Sequence, residues 1–342
     1  MEAKVSDMTE MQSVVWGEAA GGAPFALCPQ PIPQPGRGEV RLRVAAAALN
    51  YSDLLLARGR YSLASPVAGI EASGIIDALG SDVTDWKVGD RVCALSDGGA
   101  QADWLCARAD HLLPWPERLD AAEAACLPEA MATIWSNLVD LGGMARGQTL
   151  VVHGASGGMG SFAVEAGHAM GLKVIACAST PKTEFVRSLG ADHVIDRRDP
   201  ETFAQEVSAL TAGRGADLIL DVMGGSHLAA NVAAAALDGR IVVIGLMGGP
   251  DAQAPLGKMM GKRLTLFTTS LRDRPVQAKA RIVSGARRDL LPLVDRGALT
   301  PRIARRFALA DIAEAHRFME SRNHLGKIVL ETPTAPDRTI DT

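Results

Sequence analysis

Residues 153 to 160 read His153-Gly154-Ala155-Ser156-Gly157-Gly158-Met159-Gly160. Glycine has no Cβ, so a backbone rich in it turns sharply and approaches an anion closely. An apolar run, Thr149-Leu150-Val151-Val152, precedes the stretch, and a helical pattern from Ser161 to Met170 follows it. A strand, a glycine turn and a helix start are the parts of a dinucleotide-binding loop. The helix start offers outward N–H groups and a positive dipole end to a pyrophosphate. Against the usual G-x-G-x-x-G, the match runs from Ala155 to Gly160, with Ala in the first place. Ser156, Gly157, Gly158, Met159 and Gly160 are therefore expected to hold phosphates.

A second set of residues bears on which dinucleotide. The next strand pattern ends Ala176-Cys177-Ala178-Ser179-Thr180-Pro181-Lys182. An NAD site needs an acid near this point for the ribose 2′-OH. None stands there; Ser179, Thr180 and Lys182 suit a 2′-phosphate instead. Arg197, after the following strand, adds a second cation. NADPH is the expected coenzyme, and a solvated first-turn lysine is the competing reading of Lys182.

These residues need a scaffold. The chain has 342 residues, more than the roughly 250–300 that one core serves, so two domains are expected. From about residue 134, short apolar runs (149–152, 173–176, 193–195, 217–220 and 240–245) alternate with helical patterns. That grammar predicts an α/β fold, a Rossmann doubly wound parallel sheet. Residues 11–133 read instead as short strands and turns, a β-rich unit. A proline-rich loop from Pro29 to Pro35 precedes the alternating Val40-Arg41-Leu42-Arg43-Val44. Ala45–Ala48 and Ala233–Ala236 are expected at tight packing positions. A helix over Ala310–Glu320 and a last strand over Lys327–Leu330 close the pattern. Residues 1–10 and 332–342 are expected to be flexible tails.

Composition excludes several classes. A formal net charge of -4 carries no footprint for nucleic acid or anionic lipid. No apolar run approaches the ~18 residues of a membrane span, and the polar start is no secretory signal. The five cysteines, Cys28, Cys93, Cys106, Cys126 and Cys177, are odd in number and widely spaced. Neither a disulfide framework nor a zinc cluster reads this way. A cytoplasmic protein with reduced thiols is expected. The seven histidines show no paired ligand spacing, and each reads as a core or surface residue.

An ordered chain of segments resembles the medium-chain dehydrogenase/reductase superfamily from about residue 13 to 331. They are Ala48-Leu49-Asn50-Tyr51-Ser52-Asp53-Leu54, Gly59-Arg60-Tyr61, Gly69-Ile70-Glu71-Ala72-Ser73-Gly74, Leu127-Pro128-Glu129-Ala130, Leu237-Asp238-Gly239-Arg240, Gly245-Leu246-Met247-Gly248-Gly249 and Gly326-Lys327-Ile328-Val329-Leu330. The resemblance is greatest to the zinc-independent NADPH:quinone oxidoreductases of the zeta-crystallin type, the stress-inducible ones above all. It implies a GroES-like β-rich catalytic domain formed by residues 11–133 and 271–331. A Rossmann domain, 134–270, is inserted between them, and the active site lies in the cleft. Zinc relatives carry a His-Glu pair where this chain has Ile70-Glu71, and a Cys near Asn50. The implied metal content is none.

The resemblance also implies roles. Tyr61, Asn50 and Asp53 are expected catalytic residues. Tyr61 donates to a substrate oxygen, while Asn50 bonds ribose or substrate and Asp53 orients it. A helix-start cap is the competing role for Asp53; Tyr51 reads as packing and Ser52 stays undecided. Thr133, Ile244, Gly245, Leu246, Phe267, Thr268 and Thr269 are expected around the nicotinamide. Lys327 is expected on the coenzyme, or else as a surface strand lysine. Without a Lewis acid an alcohol is hard to oxidise, whereas a quinone accepts a hydride once it is positioned. The expected activity is hydride transfer from NADPH to a small-molecule quinone in a homodimer or tetramer. An NADPH-dependent enoyl or alkenal reductase is the first alternative, a non-catalytic NADPH-binding protein the second.

Overall fold

The computed structural model describes residues 9–21, 23–196 and 200–333. Seven strands come first: β1 (Glu10–Trp16), β2 (Phe25–Pro31), β3 (Glu39–Leu49), β4 (Glu71–Leu79), β5 (Arg91–Leu95), β6 (Trp104–Arg108) and β7 (Leu112–Pro114). Six follow: β8 (Thr149–His153), β9 (Lys173–Ala178), β10 (His193–Asp196), β11 (Ala216–Asp221), β12 (Ala235–Val243) and β13 (Thr265–Thr268). The last two are β14 (Ile303–Ala308) and β15 (Lys327–Glu331). The chain divides into two units, one of residues up to 129 and from 303, the other of residues 130–302.

The first unit is the β-rich, GroES-like one. Its main sheet runs β14-β15-β3-β4-β5-β7, with β6 also on β3, and β1 and β2 pair apart. β3 explains the arrangement. Val40, Leu42 and Val44 are fully buried while Glu39, Arg41 and Arg43 are only half so, the alternation of a strand with one covered face. Then Ala45, Ala46, Ala47 and Ala48 are all buried. Their small side chains let a short helix, Ala121–Ala125, pack on the strand, with Ala46, Ala48, Ala122, Ala125, Cys126 and Val329 in one cluster. β15 completes the unit antiparallel to β3, setting Ile328 opposite Leu49 and Glu331 opposite Ala46.

The second unit is a Rossmann-like sheet in the order β10-β9-β8-β11-β12-β13, parallel at every pair. Parallel strands covered on both faces should be apolar throughout; Leu150, Val151 and Val152 are fully buried. The strand order reverses between β8 and β11, where doubly wound sheets bind ligands beyond their strand ends.

Two expectations need correction. The second boundary falls at 302, not 270. Helices Val276–Asp289 and Leu291–Asp295 belong to the Rossmann unit. Gly285 seats the Trp135 ring, for an added Cβ would lie 2.3 Å from it, and Trp135 Nε1 donates to Asp289 at 2.7 Å. Of the residues expected in the tails, 1–8 and 334–342 lie outside the described ones, and the inner ends belong to the fold. Glu10 opens β1 opposite Pro31. Thr332 is buried, and its N–H donates to the Ala45 carbonyl at 3.2 Å.

Candidate functional site

The glycine loop leaves β8 through Gly154, whose φ of +65° favours glycine. The tight turn thus belongs to Gly154, one residue before Ala155, the expected first place of the motif. Ala155 is buried and its N–H reaches the Cys177 carbonyl of β9 at 3.2 Å. Gly157 precedes the helix Gly158–Ala169. The Ser161 N–H returns to the Gly157 carbonyl at 2.8 Å, so the N–H groups of residues 158–160 sit at an open helix start. A Cβ on Gly160 would lie 2.2 Å from the Gly154 carbonyl oxygen and 2.7 Å from Ala155 Cα. The helix therefore packs against its own entry turn, and the donor set suits an anion such as a pyrophosphate. Ser156, Gly157, Gly158 and Met159 line the half-exposed side of this loop.

Past β9, Ser179 is half-buried and Thr180 exposed, with Lys182 half-buried two residues on. An acid does stand here. Parallel pairing sets Asp196, the last residue of β10, beside Ala178, and Thr180 Oγ1 donates to its carboxylate at 2.5 Å. The hydroxyl expected to face a 2′-phosphate thus has a carboxylate neighbour. Arg197 lies outside the described residues.

Ile244, Gly245 and Leu246 follow β12, and Phe267, Thr268 and Thr269 end or follow β13. Ile244 N–H donates to the Asp221 carbonyl at 2.8 Å and Thr269 N–H to the Val243 carbonyl at 3.1 Å, drawing three strand ends together. Leu246 is 56% exposed. Asn137 joins the expected Thr133 and Thr269. Its Nδ2 donates to the Thr133 carbonyl at 2.8 Å, and its Oδ1 accepts from Thr269 Oγ1 at 2.6 Å. Nothing in the spacing of the sequence marks Asn137, because its partners lie one helical turn before it and 132 positions after it.

The β-rich unit brings Asn50, Asp53, Glu71 and Lys327 together. Asn50 stands between β3 and the helix Tyr51–Ala57, and Asp53 lies in the first turn of that helix. Asp53 Oδ2 accepts the Asn50 N–H at 2.7 Å, which is the capping role. The Asn50 amide donates to Glu71 Oε1 at 2.8 Å and accepts from Lys327 Nζ at 2.9 Å. Lys327 also ion-pairs with Glu71, whose other oxygen accepts the Glu129 N–H at 2.9 Å. The Glu71 and Lys327 side chains are 0% and 6% exposed. Lys327 is therefore not a surface lysine; its ammonium neutralises Glu71. Burial is the largest single influence and works against that ammonium, but the charge and hydrogen bond of Glu71, joined by Cys126 and Glu129, together outweigh it and raise the pKa above the ordinary lysine value. Tyr61 is half-buried, its ring packed on a cluster that includes Val14, Leu54, Leu56, Phe307 and Ile328. Tyr51, expected to pack, is 37% exposed.

Burial pushes the Asp53 carboxyl up to about 7, against the opposing Asn50 N–H and Lys327 charge. The unfolded value is about 3.9. The native state therefore holds this proton more tightly, and the contribution to stability falls as pH rises from about 4 to about 7. Asp53→Asn keeps an oxygen for the Asn50 N–H and cannot ionise. Its melting temperature relative to wild type is expected to rise steadily across that window. A constant difference would rule out a buried, titrating Asp53.

The group that could ligate a metal is already committed. Among the described residues, no set of three or more His, Cys, Asp and Glu side chains is placed to hold an ion. Glu71 is held by Lys327, Asn50 and Glu129, and its neighbour Ile70 has no donor atom. These residues do not fit a catalytic zinc.

Comparison with known proteins bears on all of this. An alcohol dehydrogenase GroES-like domain model matches residues 36–117, and a zinc-binding dehydrogenase model matches residues 189–330. The chain is 32% identical over 311 residues to a mycocerosic acid synthase-like polyketide synthase of Mycobacterium tuberculosis, covering 88% of this chain. It spans only 14% of that protein's length. An alcohol dehydrogenase superfamily protein from Novosphingobium aromaticivorans is 30% identical with a TM-score of 0.84, over 94% of this chain and 99% of that one. A mycobacterial quinone oxidoreductase is 28% identical with a TM-score of 0.83, over 94% and 99%.

Proposed function

We infer the activity from one premise: the chain belongs to the medium-chain dehydrogenase/reductase superfamily. It is an oxidoreductase of a superfamily that uses NAD(P) coenzymes. We propose that it is a metal-free NADPH:quinone reductase of the cytoplasm. The observation that carries this reading is the Glu71–Lys327–Asn50 cluster, a neutralised pair in place of a metal's donor set. With no Lewis acid to activate an alcohol, the substrate must be electron-poor by itself.

Bound NADPH supplies the hydride. Residues 156–160 would hold its pyrophosphate, and Lys182 its 2′-phosphate. Ile244, Gly245, Leu246, Thr133 and Thr269 would line the reducing end. Tyr61 would donate a hydrogen bond to the substrate oxygen on which negative charge develops. Asn50, oriented by Asp53, would bond ribose or substrate. A second reading, reduction of an enoyl or alkenal double bond, is favoured by the similarity to a polyketide synthase. We further propose a homodimer. β13 lies at a sheet edge, and Leu256 and Met260 nearby are 65% and 78% exposed, an apolar surface suited to a second copy. A monomer in sedimentation would count against it.

Oxidation of NADPH and of NADH against naphthoquinones, benzoquinones and crotonyl thioesters tests the activity. Quinones with NADPH are expected to turn over fastest. Tyr61→Phe is expected to lower kcat about 10-fold or more if the hydroxyl assists charge or proton transfer. Turnover of thioesters alone would establish the second reading, and better use of NADH would overturn the coenzyme assignment.

A further inference from the structure

Under the glycine loop, three buried polar side chains form one line. His153, the last residue of β8, is 3% exposed, and Asp221 and Asn231 are fully buried. His153 Nε2 lies 2.8 Å from Asn231 Oδ1, and Asn231 Nδ2 donates to Asp221 Oδ2 at 2.9 Å. Asp221 Oδ1 also accepts the N–H groups of Met223 at 2.6 Å and Gly224 at 3.2 Å. A carboxylate only accepts, so the Asn231 amide turns its NH2 to Asp221 and its oxygen to His153. Nε2 of His153 must then carry hydrogen. Burial lowers the His153 pKa to about 4, with the Asn231 contact opposing, so the ring is neutral and holds one tautomer.

Each end of the line carries a loop. His153 leads directly into Gly154 and the phosphate loop. Asp221 clamps the turn 222–225, and the segment 245–249 rests on that turn. Met247 N–H donates to the Val222 carbonyl at 3.1 Å and Gly248 N–H to the Met223 carbonyl at 2.7 Å; Gly225 N–H reaches the Gly249 carbonyl at 2.9 Å. The seating is close enough to exclude side chains. A Cβ on Gly245 would lie 2.8 Å from the Val222 carbonyl oxygen, and one on Gly248 2.0 Å from Ser226 Oγ. The phosphate loop meets the same turn, for a Cβ on Gly154 would lie 2.9 Å from Val222 Cγ2.

We propose that His153, Asn231 and Asp221 are positioning residues that set the spacing between the phosphate loop and the 245–249 segment, and so the orientation of a bound dinucleotide's reducing end. This rests on the coenzyme reading above. The variants His153→Gln, His153→Leu and Asn231→Leu test it, with NADPH and NADH titrated separately against each protein. Thermal midpoints without coenzyme and the split between kcat and KM complete the measurement. The glutamine amide N–H can replace Nε2–H, so His153→Gln is expected to keep the wild-type Kd. Both leucine variants are expected to bind about tenfold more weakly or worse, with kcat reduced as well. Leucine variants with lowered midpoints and unchanged Kd would mean a merely structural line and overturn the proposal. Should they not fold, His153→Asn, too short to reach Asn231, takes their place beside His153→Gln; equal Kd values in that pair overturn it too. Wild-type protein that binds neither coenzyme defeats the coenzyme reading and this proposal with it.

Discussion

Lys327→Met is expected to lower folding stability by about 3–5 kcal/mol, the usual cost of leaving one partner of a buried ion pair without the other. The side chains of Glu71 and Lys327 are almost wholly removed from water, so no solvent can replace the lost ammonium. The Asn50 amide and the Glu129 N–H remain on Glu71, but neither brings a charge. Adding Glu71→Gln to Lys327→Met removes the stranded charge and is expected to restore most of the loss. Urea unfolding of the single and double variants measures both. A double variant no more stable than Lys327→Met would show that the pair's value lies in packing, not in charge.

The second large effect concerns the phosphate loop. Gly160→Ala would set a methyl 2.2 Å from the Gly154 carbonyl oxygen, a contact the backbone can relieve only by moving the loop. Coenzyme affinity is expected to fall about 10²-fold, as for other misplacements near 1 Å. Gly157→Ser is the matched control. A Cβ there meets nothing closer than the Gly154 carbonyl oxygen at 3.5 Å, and its φ of -80° is open to any residue. Its Kd for NADPH should stay within a few-fold of wild type. Equal losses in both variants would place the phosphate elsewhere.

Features made by neighbours along the chain are legible in the sequence alone. The strand, glycine turn and helix around residue 157 are local, and the change of grammar near residue 134 marks the second unit. What stays hidden there depends on pairing at long range. Asp196 reaches the end of β9 only through the register of β10, so a scan along the chain finds no acid among the four residues directly after Ala178. Lys327 meets Glu71 from 256 positions away, and a lone Gly-Lys pair cannot say which way its ammonium turns. His153 reads as one more core histidine until Asn231 and Asp221 are folded beneath it. The helices after residue 270 look like the return of the first domain until Trp135 settles against Gly285.

The pairing of β15 with β3 also sets an order of events during synthesis. The Rossmann unit is one continuous stretch, 130–302, and can fold as soon as it has left the ribosome. The β-rich unit cannot finish so early. Ala46 to Leu49 must wait for Ile328 to Glu331, so this part of β3 stays an unpaired edge while about 280 further residues are made. That edge is apolar, alanine-rich and open to wrong partners until the chain is almost complete. Shortening the protein before β15 would make the waiting state permanent, and aggregation through β3 is its natural outcome.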